Sequence, residues 1–95
     1  MIALHVRYRF RPEDVAEAVR CFTGLQAATR QEDGCLAYTA YRADDYASFW
    51  LHEEWESTAH LEAHFTTEHF QRYSVDGLQK LATVREITRG EPVAP

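Results

Sequence analysis

No apolar run in this 95-residue sequence approaches the ~20 residues that a membrane-spanning helix needs. Cysteine is scarce. Cys21 and Cys35 are the only two, they lack CxxC spacing, and they make a poor disulfide framework. Both read as small, partly buried thiols. No Gly-rich phosphate loop and no G-x-S-x-G nucleophile turn occur, which removes two common catalytic frameworks. Basic charge is not in excess either. The net charge is -5 and the ten Lys and Arg residues are scattered, which argues against a nucleic-acid partner. The stretch Met1-Ile2-Ala3-Leu4-His5-Val6-Arg7 puts charge where a signal peptide needs an apolar core, so a cytoplasmic location is expected. Repeats and low-complexity segments are also missing.

What is present fits one domain over residues 1–95, with 90–95 as a C-terminal tail. Ile2, Leu4, Val6, Tyr8 and Phe10 alternate with Ala3, His5, Arg7 and Arg9, the pattern of a strand with one face on a core. Pro12, Glu13 and Asp14 suit a helix start. Val15, Ala18, Val19, Phe22, Leu25 and Thr29 then recur at helical spacing, and Gln31 to Gly34 stops the helix. A second strand is predicted over Cys35 to Arg42, a turn at Ala43-Asp44-Asp45, and a third strand over Tyr46 to Glu56. Ser57 caps a short helix with Leu61, His64 and Phe65 on one side. Thr67 caps another with Phe70, Tyr73, Leu78 and Leu81 inward, and Ala82 to Thr88 is the last strand. Strand, helix, strand, strand, helix, strand is the α+β ferredoxin-like split β-α-β order, an antiparallel sheet with helices on one face.

Such a sheet leaves its other face to be explained. Phe49, Leu51, Glu53 and Trp55 share one side of the third strand; Ser48, Trp50, His52 and Glu54 share the other. Trp50, joined by Tyr41 or Tyr38 depending on register, makes an aromatic patch on the uncovered face. A second copy of the chain packed across a two-fold axis would bury it. The alternative is a few scattered surface rings.

Two polar residues break the apolar rows. Glu53 stands in line with Phe49, Leu51 and Trp55, and a carboxylate there must be paired, hydrogen-bonded or neutral. His64 shares a helical stripe with Leu61 and Phe65. Contact between the two is expected, either as a structural tie or as a pair that moves a proton. His60 and His64 are four apart and His69 follows, a spacing that can chelate a divalent metal. With no HExxH, and with His69 on a different helix, no metal and no other cofactor are expected. The rings of Tyr8, Trp55, Phe65, Phe70 and Tyr73 line the predicted interior, as core or as walls of an apolar pocket for a flat aromatic ligand.

Phe49-Trp50-Leu51-His52-Glu53-Glu54-Trp55-Glu56-Ser57, followed by Leu61-Glu62-Ala63-His64-Phe65 and Glu68-His69-Phe70, resembles the E-x-W … L-x-x-H … H-F pattern of the antibiotic biosynthesis monooxygenase family. Asp33-Gly34-Cys35-Leu36-Ala37-Tyr38 is similar to that family's turn into its second strand. The resemblance implies a dimeric α/β barrel of two ferredoxin-like protomers. It also implies that the chain could oxidise a small aromatic quinol- or anthrone-like compound with molecular oxygen and without metal or flavin. On that resemblance His64 serves as proton acceptor or donor and Glu53 orients it. Trp55, Tyr8, Phe65, His69, Phe70 and Tyr73 hold the substrate. Haem-degrading relatives rely on an inward asparagine, a tryptophan in the short helix and a later histidine. This chain has no asparagine, has His64 at the tryptophan position and has Ser74 near the histidine's, so haem degradation is not expected. The alternatives are a small-molecule-binding or stress-response protein of the same fold, or a dimerisation module with a filled interior.

Overall fold

The first strand shows most plainly how the sequence builds the sheet. In the computed structural model, which describes residues 1–94, Leu4, Val6, Tyr8 and Phe10 are buried, while His5, Arg7 and Arg9 between them are exposed. Strands β1 (Ile2–Arg9), β2 (Cys35–Arg42), β3 (Ser48–Trp55) and β4 (Val84–Gly90) form one antiparallel sheet in the order β2-β3-β1-β4. A short 3-10 turn, Pro12–Asp14, leads into α1 (Val15–Thr29), and α2 (Thr58–Phe65) follows β3. A π-helical segment, Phe70–Leu78, then runs into the single turn α3 (Gln79–Leu81). This is the ferredoxin-like α+β topology.

The core lies between the helices and the inner face of the sheet. α1 buries Ala18, Cys21, Phe22, Leu25 and Thr29, the stripe its spacing predicts. Phe22 meets Tyr8 edge-on and stacks on Phe49, with ring centroids 5.3 and 5.2 Å away. Each such pair adds about 0.5–1.5 kcal/mol beyond the area it buries. Further along the sheet Trp55, Leu61 and Leu78 are fully enclosed. Both cysteines are free thiols, Cys21 buried and Cys35 half-buried. Among the described residues no helix is long and apolar enough to cross a membrane.

Some element ends, and the type of one helix, differ from expectation. The third strand starts at Ser48, because Tyr46 takes a left-handed φ of 62° inside the hairpin turn. The Asp45 carboxylate fixes that turn by accepting from the Ala47 and Ser48 amides at 2.9 and 2.8 Å. The last strand runs two residues later than predicted and takes in Gly90, so the tail begins at Glu91; Pro95 lies outside the described residues. The helix after Thr67 is π-helical. Thr67 Oγ1 does accept from the Phe70 amide at 3.2 Å, but the turns that follow are wider than α-turns. Its fully buried positions are Ser74 and Leu78, whereas Tyr73 and Leu81 are only half-buried. The π-segment lies close against α1: the Tyr73 hydroxyl is 2.8 Å from where a Cβ on Gly24 would stand.

Candidate functional site

β3 delivers the central residue. Glu53 faces inward between Leu51 and Trp55, opposite Leu4 of β1 and Tyr38 of β2, and is only 4% exposed. Trp55 Nε1 donates to Glu53 Oε1 at 3.0 Å. Burial pushes the Glu53 carboxyl up to about 7; the Trp55 hydrogen bond and the Arg85 charge oppose the rise without cancelling it. A carboxyl poised there can take up or release a proton near neutral pH.

Glu53 lines a cavity of about 210 Å3 between the inner face of the sheet and the α2–π layer. Tyr8, Tyr38, Ser74, Arg85 and Arg89 supply its other polar groups, and Leu61, Phe65 and Phe70 are part of its apolar wall. Burial raises both tyrosine hydroxyls above their ordinary range, so both are neutral donors at physiological pH. Arg85 and Arg89 reach the cavity from the inward side of β4, opposite Tyr8 and Leu4. A larger depression of about 520 Å3 lies on the opposite face of the sheet, among His5, Arg7, His52 and Glu54. It is the more open of the two, whereas the inner cavity is more closed and holds a buried ionisable group, which makes it the candidate site.

The expected Glu53–His64 hydrogen bond is not made. Glu53 turns to Trp55, and His64 Nδ1 lies 2.6 Å from Oε2 of Glu32 in the turn after α1. His69 Nε2 lies 2.7 Å from the same oxygen. One carboxylate thus accepts from two imidazoles, which places the His64 proton on Nδ1. Burial lowers the His64 pKa against the pull of Glu32, so its ring is neutral. The ring is buttressed by Trp55 at 4.8 Å, Phe70 at 5.0 Å and Tyr38 at 5.4 Å between centroids.

Of the residues singled out by sequence, Tyr8, Glu53, Phe65 and Phe70 meet at the cavity. Trp55 lies behind it as the Glu53 donor, and His64 and His69 form the separate cluster with Glu32. Tyr73 packs on α1 beside Gly24 instead of facing the cavity, because the π-segment turns it aside. Sequence reading missed Glu32, taken as part of a helix stop, and also Ser74 and Arg85. Alternation within β4 could have signalled Arg85; nothing local signals Glu32.

Glu32, His64 and His69 are also the residues that could hold a metal, since one donor atom from each falls within 4.8 Å of the others. His60, the other half of the four-residue histidine pair, lies elsewhere: its Nδ1 is 2.7 Å from Ser57 Oγ and its Nε2 faces Asp33 and Glu56.

The outer face carries the aromatic patch. Register pairs Tyr41 with Trp50, and the two rings stack at 5.2 Å with an angle of 16°. Tyr38 is buried on the inner side, which settles the choice between the two tyrosines. Beside the patch, His5 Nε2 meets His52 Nδ1 at 2.9 Å, and His52 Nε2 meets Glu54 Oε2 at 2.7 Å.

Residues 1–75 match the family described as antibiotic biosynthesis monooxygenase. Among solved structures, the chain is similar to PA3566 from Pseudomonas aeruginosa, with 31% identity, a TM-score of 0.89, and 98% of this chain and 94% of that one covered. It is similar to Rv0793 from Mycobacterium tuberculosis at 25% identity and a TM-score of 0.90, covering 99% and 96%. A structure described as an antibiotic biosynthesis monooxygenase matches at 27% identity and a TM-score of 0.91, covering 99% and 100%. No curated protein matches the sequence.

Proposed function

The chain belongs to the antibiotic biosynthesis monooxygenase family, and from that premise we propose that it oxidises a small aromatic quinol-like compound with molecular oxygen, using Glu53 as the base. The observation that carries this reading is a buried carboxyl, Glu53 at 4% exposure, lining a cavity walled by the rings of Tyr8, Tyr38, Phe65 and Phe70; burial pushes that carboxyl up to about 7. Ionised Glu53 takes a phenolic proton from the bound quinol. Arg85, on the same cavity wall, balances the charge that builds up on the substrate oxygen. The quinolate, now electron-rich, reduces oxygen; one oxygen atom enters the ring and the other leaves as water. Quinol and oxygen thus give hydroxyquinone and water, with the substrate as sole electron donor.

In this mechanism Tyr8 and Tyr38 donate hydrogen bonds that orient the ring oxygens. Trp55 holds Glu53, and the His64 ring braces Trp55 and Tyr38 from behind. The cavity volume falls below the ~300 Å3 at which drug-sized pockets begin. One or two fused rings suit it better than the three rings of an anthrone. The protein works as a homodimer, with Tyr41 and Trp50 buried between copies; their exposure and stacking on the uncovered sheet face support this.

Oxygen consumption with monocyclic and bicyclic quinols is the test. Wild-type protein should consume oxygen and release the hydroxyquinone, and Glu53→Gln should lower the rate by ~100-fold or more. Ligand binding with no oxygen consumption across the panel would overturn the reading in favour of a binding protein.

A further inference from the structure

We propose that Glu32, His64 and His69 form a binding site for a single divalent transition-metal ion, of which zinc is the type. This site is separate from the quinol cavity and does not depend on the reaction proposed there. Its three donors come from three elements: the turn after α1, the last turn of α2 and the residue that opens the π-segment. They converge from 32 and 37 residues apart onto one carboxylate oxygen. All three donor atoms lie within 4.8 Å of one another. Two imidazoles and a carboxylate are a donor set suited to zinc, and less so to the all-oxygen preference of magnesium or calcium.

The fit asks for small displacements of the three donors, which now lie within 4.8 Å of one another. Metal–ligand bonds of about 2.0–2.2 Å in tetrahedral geometry separate neighbouring donors by roughly 3.4 Å. The two hydrogen-bonded contacts, now 2.6 and 2.7 Å, would open by less than an ångström. The ion takes the place of the two imidazole protons that now point at Glu32. It leaves at least one coordination position for water. Entry is from the surface: His64 is enclosed, but His69 and Glu32 are 22% and 13% exposed. His69 also borders an open cleft with Glu68 and Arg72. Bound there, the ion would clamp the π-segment to the α1–β2 turn behind the aromatic wall of the cavity.

The experiment is titration of the metal-free full-length protein with zinc by calorimetry and with cobalt by visible absorption. The expected result is one ion per chain, with cobalt bands of a low-coordinate nitrogen–oxygen site and a higher melting temperature with zinc. Glu32→Gln and His69→Gln should each weaken binding at least tenfold, whereas His60→Ala and His52→Ala should leave it unchanged. Imidazole NMR signals of the wild-type protein give a readout that needs no variant: zinc should move those of His64 and His69 and leave His5 and His52 in place. Absence of stoichiometric binding, or shifts confined to other histidines, would overturn the proposal.

Discussion

Glu53 and Glu54 are neighbours in the chain and occupy opposite worlds. Glu53 points into the interior, accepts one hydrogen bond from Trp55, and is forced by burial towards its neutral form. Glu54 points to the uncovered face, is about one-third exposed at 33%, and meets the His52 imidazole at 2.7 Å. Residue type is the same and the backbone is the same strand. The difference comes from the pleat, which sends successive side chains to opposite faces, and from the helices that cover only one of them. Desolvation gives Glu53 a proton affinity suited to neutral pH, while Glu54 and its partner stay in contact with water.

The largest expected effect separates the two residues by activity. Glu53→Gln should cost ~100-fold or more in oxygen consumption, while Glu54→Gln should stay within about twofold. Equal losses in both would break the contrast between the faces. In wild-type protein the rate should rise with pH through a midpoint near 7, as Glu53 ionises.

Stability should move in the opposite direction with pH. The folded state holds the Glu53 proton more tightly than the unfolded chain, whose carboxyl titrates near its ordinary 4.5. Below that value the carboxyl is protonated in both states and the penalty is absent. Stability then falls as pH rises and levels off above about 7, by roughly 3 kcal/mol in all. Glu53→Gln should flatten this component in denaturant titrations at pH 4.5 and 8. A variant as pH-sensitive as the wild type would place the buried charge elsewhere.

Trp55→Phe removes the Glu53 donor and part of a buried side chain. A loss of about 1–3 kcal/mol is expected in chemical denaturation. Because the lost hydrogen bond favours the ionised carboxylate, the activity midpoint should also shift to higher pH. On the outer face, wild-type protein should scatter light as the proposed dimer and Trp50→Ser as a monomer, with the far-UV spectrum of the fold unchanged. The smallest effect is the stability change in Glu54→Gln, expected within about 0.5 kcal/mol because its hydrogen bond to His52 is partly solvated.

How much of this was legible in advance depended on distance along the chain. Alternation in β1 and β3 placed Tyr8, Glu53 and Trp55 inward and Trp50 outward, since a strand's faces follow from its own residues. β2 was harder. An irregularity between Cys35 and Ala37 resets its pairing with β3, which is why Tyr38 and Tyr41 could not be told apart until the register was seen. Apolar spacing over nine residues does not separate a π-helix from an α-helix, and in the π-segment the wider turn takes Tyr73 off the cavity and puts Ser74 in.

The order of the elements, the two-faced sheet and the carboxylate in an apolar row are written in the chain itself. Each of these follows from side chains a few residues apart, where periodicity acts. Who meets whom is set by three-dimensional packing: Trp55 and not His64 holds Glu53, Glu32 gathers both His64 and His69, and Arg85 reaches the cavity from the edge strand. Those partners come together because the turn at Gly34, with its left-handed φ of 79°, and the packing of helices on the sheet fix them in space. His60 occupies the place a side chain on Gly34 would need. Contacts across more than thirty residues are set by such packing and leave no local signature in the chain.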